Sequence, residues 1–421
     1  RVMRNLLLII SVVFSVPIFA QKELITQHLE SNFYATQFTG FYLYDPVTKE
    51  EVYNYNGNKY FIPASNTKIF TLYTAMKMLN DSIPAFKYKL VNDELHIEGT
   101  GDPTFLHPKY KNNRAVDFLK NTGTKMVLHW NNFDEESFLP GWTWDDFRKD
   151  YSAERSQFPI NENLVSISKT GNSVRTFPSY FQDLIEIKNV NEPRDFYHNK
   201  FYINSAKRSD KVPFIVNEEV IEKSLSEILG KTVDLVKTPM LANVTTFYSQ
   251  RADDVYREMM ENSDNFLAEH LLLLASSTKP GKLSSTEVID LAKKTFLKDL
   301  KQQPEWFDGS GLSRYNLFTP QSFVQVLEKL YNEFPQERVF SIFPIGGKTG
   351  TIKNRYRDSV TPYLFAKTGT LNNNVTLSGY LKTKSGKILI FSLMNNNSTK
   401  NLSYIRNENE KLLRIVRDNI E

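Results

Sequence analysis

Phe61-Ile-Pro-Ala-Ser65-Asn-Thr-Lys68-Ile-Phe70 places a serine three residues before a lysine, just after a proline. Apolar residues then recur at helical spacing: Ile69, Leu72, Tyr73, Met76 and Leu79. Pro63 suits a position just outside a helix N-terminus, so the pattern predicts a helix that begins at about Ser65. Ser65 and Lys68 then lie one turn apart on one face. A hydroxyl and an amine so placed can serve as nucleophile and base without a histidine.

Two further patterns follow in order, Ser263-Asp264-Asn265 and Lys367-Thr368-Gly369. Short patterns recur by chance, and context must sort them. S-x-x-K also occurs at Ser166 with Lys169 and at Ser276 with Lys279; K-T-G also occurs at Lys169 and Lys348. S-x-N occurs only at Ser263. Ser276 lies beyond it, and Pro280 ends any helix that would carry Lys279. Ser166 sits in a strand-like stretch, where residues three apart face opposite sides. Lys348 follows Gly346-Gly347 and reads as an exposed loop, whereas Lys367 precedes the strongly apolar stretch Val375–Leu381 and can lie on a sheet.

Ser65 at a helix start faces orphan N–H groups and the positive end of the dipole. The same field, with partial burial, should depress Lys68 towards its neutral form. Ser263 can pass a proton to a leaving amine, Asn265 can orient a substrate amide, and Lys367 can supply a cation for a substrate carboxylate. The backbone N–H groups of Ser65 and Thr370 are candidate oxyanion donors. Taken singly, Ser65 reads as an N-cap, Ser263 as a helix cap and Lys367 as an edge-strand lysine. Their joint order and contexts favour chemistry.

The chain has 421 residues, enough for two or more hydrophobic cores. Apolar and charged contents of 40% and 24% describe a globular protein, and a net charge of +4 gives no argument for nucleic acid. With no cysteine, thiol catalysis and Cys-ligated metals are excluded; the six histidines form no H-E-x-x-H pair, and no metal or cofactor is expected. His270, in the apolar run Asn265–Leu274, reads as a core helix residue. Arg4, the apolar run Leu6–Phe14 and Ala20 read as a secretory leader over 1–20, cut before Gln21, so the protein is expected to be exported to the periplasm. A retained membrane anchor is the alternative, but the run is short for a span.

A helix over Glu23–Asn32 and strands at Thr39–Tyr44 and Glu51–Tyr55 precede the Ser65 helix. Residues 86–239 read as a β-rich insertion with strand candidates at Tyr88–Val91, Leu95–Ile97 and Lys125–His129. Helices are expected over Asp253–Ser276, near Ser285–Lys301 and near Pro320–Tyr331. Two strands, Val375–Leu381 and Lys387–Met394, and a terminal helix Leu402–Ile420 end the chain. The resulting fold class is α/β (α+β), with a discontinuous unit over 21–85 and 240–421 interrupted by the inserted one.

With these motifs the chain resembles the D-alanyl-D-alanine carboxypeptidase/endopeptidase branch of low-molecular-mass penicillin-binding proteins. The long separation of Ser65 from Ser263 suits that branch. So do Gly101–Thr104, Pro140–Asp146 with Tyr151–Ala153, and Asp308–Arg314. The insertion is somewhat shorter than is typical of the family. The resemblance implies a serine β-lactamase/penicillin-binding-protein-like domain with an insertion, acylation of Ser65, peptidoglycan stem peptides and cross-links as substrates, and β-lactams as covalent inhibitors. It implies substrate-binding roles for Thr368, Gly369 and Thr370, and recognition of the stem-peptide side chain by Trp142, Asp145, Tyr151 and Arg314. No obligatory membrane partner is implied. Rival readings are an esterase or β-lactamase-like hydrolase of the same fold and a catalytically idle wall-binding protein.

Overall fold

The computed structural model of the protein describes residues 22–111, 114–358 and 361–421; the expected leader over 1–20 lies outside them. The chain opens with helix α1 (22–29) and the hairpin β1 (Phe38–Asp45) and β2 (Glu50–Tyr55). A 3₁₀ turn, Ala64–Thr67, then leads into α2 (Lys68–Met78). Next come β3 (Ser82–Val91), β4 (Glu94–Gly99), α3 (Arg114–Asn121) and β5 (Lys125–His129). Short strands β6 (Leu164–Thr170), β7 (Ser173–Phe177), β8 (Ile185–Ile187), β9 (Phe201–Ile203) and β10 (Ser209–Pro213) follow. The section closes with α4 (Glu218–Leu229), β11 (Val233–Val236) and β12 (Thr245–Arg251). Helices α5 (Ala252–Asn262), α6 (Asn265–Ser277), α7 (Ser285–Lys294), α8 (Pro320–Glu333) and α9 (Gln336–Ile342) come next. Strands β13 (Leu364–Leu371), β14 (Asn374–Lys382) and β15 (Ile388–Asn396) and helix α10 (Leu402–Asn419) end the chain.

The first sheet runs β13-β14-β15-β1-β2, antiparallel throughout. Period-two alternation sends its side chains to two cores. Phe41, Leu43, Leu389, Phe391 and Leu393 pack with α1 and α10, while Tyr42, Tyr380, Ile390 and Met394 pack with α2, α5, α6 and α8. Helix α6 is buried along its whole length, as an all-round apolar helix must be.

A second sheet, β11-β5-β4-β3-β12, has its own core of Phe86, Leu95, Ile97, Leu128 and Phe158, on which α3 and α4 also pack. It starts at Ser82 and ends at Arg251, so its strands reach beyond the expected 86–239 on both sides. Helices α3 and α4 were not anticipated there. Asn217 caps α4 by accepting from Val220 N, and Gly230 ends it in the left-handed conformation.

Two expected helices are shorter than their apolar patterns. The stretch Asp253–Ser276 is not one helix: Ser263 takes φ 56°, ψ 38° and ends α5, and Asp264 caps α6 by accepting from Leu267 N at 2.9 Å. The helix expected to reach Lys301 stops at Lys294, where Thr295 leaves helical geometry.

Candidate active site

The Ser65 turn is held on the first sheet by side chains that sequence spacing does not reveal. Asn66 Nδ2 donates to Ser378 Oγ at 2.7 Å, Thr376 Oγ1 to Pro63 O at 2.7 Å, and Asn396 Oδ1 accepts from Ile62 N at 2.7 Å. Gly369 faces the same turn: a Cβ there would stand 2.7 Å from the Pro63 carbonyl oxygen. The glycine of K-T-G is therefore required by the close approach of β13 to the backbone before Ser65.

Lys68 is fully buried, and its Nζ reaches Ser65 Oγ at 3.0 Å, Asn265 Oδ1 at 2.7 Å and Ser310 O at 2.7 Å. Burial lowers its pKa to about 8; Asp308, Asp264 and Glu269 act in the opposite direction. A neutral amine has two donors and a lone pair. With the donors on Asn265 and Ser310, the lone pair is left for the Ser65 hydroxyl.

Lys367 is also fully buried, on β13; its Nζ donates to Ser263 Oγ at 2.8 Å and to Thr368 O at 2.7 Å. Burial, with Lys68 nearby, pushes it well below its usual value. Its Nζ is placed as the hydrogen-bond partner of the Ser263 hydroxyl. The left-handed conformation at Ser263, between two helices, puts it beside β13.

A cleft of about 530 Å³ contains Ser65, Ser263 and Asn265, with Thr370 on one side and Asp145, Tyr151 and Arg314 also lining it. Asn265 Nδ2 donates to Tyr151 O at 3.0 Å, which ties α6 to the segment carrying Asp145 and Tyr151. Three expected substrate residues stand elsewhere. Trp142 does not line the cleft; its Nε1 donates to buried Asp308 at 2.9 Å, because an indole N–H that leaves water needs an acceptor. Thr368 and Gly369 lie on an adjoining groove, where the Thr368 hydroxyl meets that of Thr351 at 2.7 Å. Lys348 is exposed on a turn. His270 is buried, with Nδ1 2.7 Å from Gly101 O.

Sequence reasoning missed the scaffold beneath Lys68. Asp308 accepts from Gly311 N, Ser313 N and Asn316 Nδ2 at 2.9, 2.7 and 2.6 Å, and fixes the loop that presents Ser310 O. Glu269 accepts from Gly309 N and Ser310 N at 3.1 and 2.7 Å; burial, then Asp308, raises its pKa to about 7. Gly311 has φ +85°, and a Cβ there would overlap the Ala64 carbonyl oxygen. A glutamate inside the apolar run Asn265–Leu274 was the available signal.

The profile of the D-Ala-D-Ala carboxypeptidase 3 (S13) family matches residues 21–225 and 219–416. The chain belongs to that family. It is a serine-type D-Ala-D-Ala carboxypeptidase, a hydrolase of the penicillin-binding protein class. The D-alanyl-D-alanine carboxypeptidase DacB of Haemophilus influenzae is 25% identical, over 94% of this chain and 92% of the relative. The penicillin-sensitive carboxypeptidase A of Dictyostelium discoideum is 23% identical over 85% of this chain and 82% of its own length. The crystal structure of penicillin binding protein 4 from Haemophilus influenzae superposes with a TM-score of 0.72, at 20% identity, covering 93% of this chain and 97% of that one. That likeness shows the fold: a penicillin-binding-protein-like α/β unit with an added sheet.

Proposed function

We propose that the protein is an exported, β-lactam-sensitive enzyme that cleaves D-Ala-D-Ala stems of peptidoglycan and the corresponding cross-links through an acyl-Ser65 intermediate. The contact between Lys68 Nζ and Ser65 Oγ carries the reading. Ser65 Oγ attacks the carbonyl of the penultimate D-Ala as Lys68 takes the hydroxyl proton. The C–N bond breaks, and the proton reaches the leaving amine by way of Ser263. Water then attacks the ester and frees Ser65. The backbone N–H groups of Ser65 and Thr370 serve the oxyanion, a contribution of about 10²- to 10³-fold per donor. Asn265 orients the substrate amide, and Lys367 holds Ser263. Asp145, Tyr151 and Arg314 face the stem-peptide side chain.

A carboxypeptidase substrate and a cross-link share the same acyl half and differ in the leaving amine, so one nucleophile serves both. The name of the Dictyostelium relative supports penicillin sensitivity. The leader expected over 1–20 supports export, and no helix among the described residues is long and apolar enough to cross a membrane. The test is covalent labelling by a fluorescent penicillin, together with release of D-Ala from a stem pentapeptide. Both should vanish in Ser65→Ala. Labelling that survives this substitution overturns the assignment.

A further inference from the structure

We infer that a second cleft, divided from the catalytic one by the segment 143–151, holds the polysaccharide to which the stem peptides are attached; the inference rests on the peptidoglycan reading above. This second cleft measures about 700 Å³, within the usual size of a ligand site. Asp145, Asp146 and Tyr151 line the catalytic cleft, whereas Arg148, Lys149 and Asp150 line the second. One stretch of chain is therefore a wall common to both. A stem peptide seated in the first cleft brings its sugar strand with it, and the second cleft is the recess on the other side of that wall.

The lining suits a hydroxyl-rich, weakly charged ligand. Ser166, Asn191, Asn204 and Ser209 supply hydroxyls and amides, groups that both donate and accept. Asn204 accepts from Ala206 N through Oδ1 at 2.9 Å, which leaves its N–H₂ for a ligand. Of the four basic residues on this lining, three are already paired: Arg148 with Glu192, Lys207 with Asp210 at 2.7 Å, and Lys211 with Glu162 at 3.2 Å. A polyanion would have to displace those carboxylates. A sugar chain would not.

An aromatic ridge stands at the same wall. The Phe147 and Phe196 ring centres are 4.6 Å apart, as are those of Phe196 and Tyr197. The Arg148 guanidinium lies over both phenylalanines, at 4.5 and 5.8 Å, and so joins the ridge to the cleft it lines. Asp195 accepts from Tyr197 N and His198 N at 2.9 and 3.0 Å, so Tyr197 is 77% exposed on a turn that is itself held. A lone exposed ring is ordinary, but a braced cluster of them marks a contact surface. The C–H face of a sugar ring covers such a ring while its hydroxyls stay with the amides and water.

The experiment titrates peptide-free glycan strands, prepared by amidase digestion of peptidoglycan, into the protein. It also compares kcat/KM for one pentapeptide, free and attached to its disaccharide. Glycan binding should appear by calorimetry, weaken about 3- to 10-fold in Tyr197→Ala and in Asn204→Ala, and change little with added salt. The glycan-linked peptide should be the better substrate, and both variants should shrink that preference by a similar factor while turnover of the free peptide stays unchanged. Absence of glycan binding, binding that collapses in salt, or a preference that either variant leaves intact overturns the inference. Failure of the underlying reading shows separately: the native enzyme then releases D-Ala from neither substrate, or turnover persists in Ser65→Ala.

Discussion

Lys68 Nζ donates to Asn265 Oδ1 at 2.7 Å, joining the first residue of α2 to the first residue of α6 across 197 positions of sequence. The amide holds the amine without charging it. This neutrality decides the pH dependence of the enzyme. With the Lys68 pKa near 8, kcat/KM should rise as pH increases through about 8, because only the deprotonated amine can accept the Ser65 proton. Asn265→Asp puts a carboxylate beside the amine and favours its cation, so the rising limb should move up by about 1 to 3 pH units. Lys68→Arg cannot deprotonate and should lose about 10²- to 10⁴-fold in kcat/KM. Stopped-flow acylation across pH 6 to about 10 checks all three.

Lys367 and Lys348 offer the same tripeptide in opposite environments. Lys367→Ala removes the amine that holds Ser263 Oγ at 2.8 Å and leaves a buried gap; kcat/KM should fall by about 10²-fold or more. Lys348→Ala alters an exposed turn and should leave kcat/KM within about twofold. Rates of D-Ala release from a pentapeptide decide between them.

Gly311→Ala should damage the nucleophile from the far side of the loop. The new methyl meets the Ala64 carbonyl oxygen, next to Ser65, and the residue must keep φ +85°. A loss of about 2 kcal/mol or more is expected, with slower penicillin labelling. Thermal unfolding and labelling rates measured on the same sample test this.

His270 makes stability depend on pH. Burial holds its pKa near 3, against 6.5 unperturbed, so folding favours the neutral ring. That contribution is fully present above about 6.5 and is lost as pH falls towards about 3, at about 1.4 kcal/mol per pH unit. His270→Leu should be less stable at neutral pH but lose stability less steeply between pH 7 and about 4. Urea unfolding at several pH values measures the slope.

What was legible in the chain was local. Ser65 and Lys68 sit within one turn, and the apolar runs Val375–Leu381 and Lys387–Met394 announce β14 and β15. The break at Ser263 was also local: Asn262-Ser-Asp-Asn265 is a run of cap-forming residues, overshadowed by the apolar periodicity on either side. Glu269 left one trace, a carboxylate inside an apolar run, but its partners and those of Asp308 were not legible, because both bind backbone N–H groups of a loop whose position depends on the whole fold. Trp142, which the resemblance implied at the stem-peptide side chain, donates its indole N–H to Asp308, a carboxylate far along the chain. The burial of Lys367 and its bond to Ser263 are likewise reported by no single stretch of sequence.

Ser82 and Arg251 are register partners, one at the start of β3 and the other at the end of β12. The intervening chain thus departs and returns through a single narrow gate. A short turn joining these two positions would excise the second sheet as a cassette and leave the serine, its lysine and the first sheet covalently intact. The cleft would then lose Asp145 and Tyr151 together. Exchange of that cassette would re-line one wall of the cleft and replace the Tyr151 carbonyl to which Asn265 Nδ2 donates.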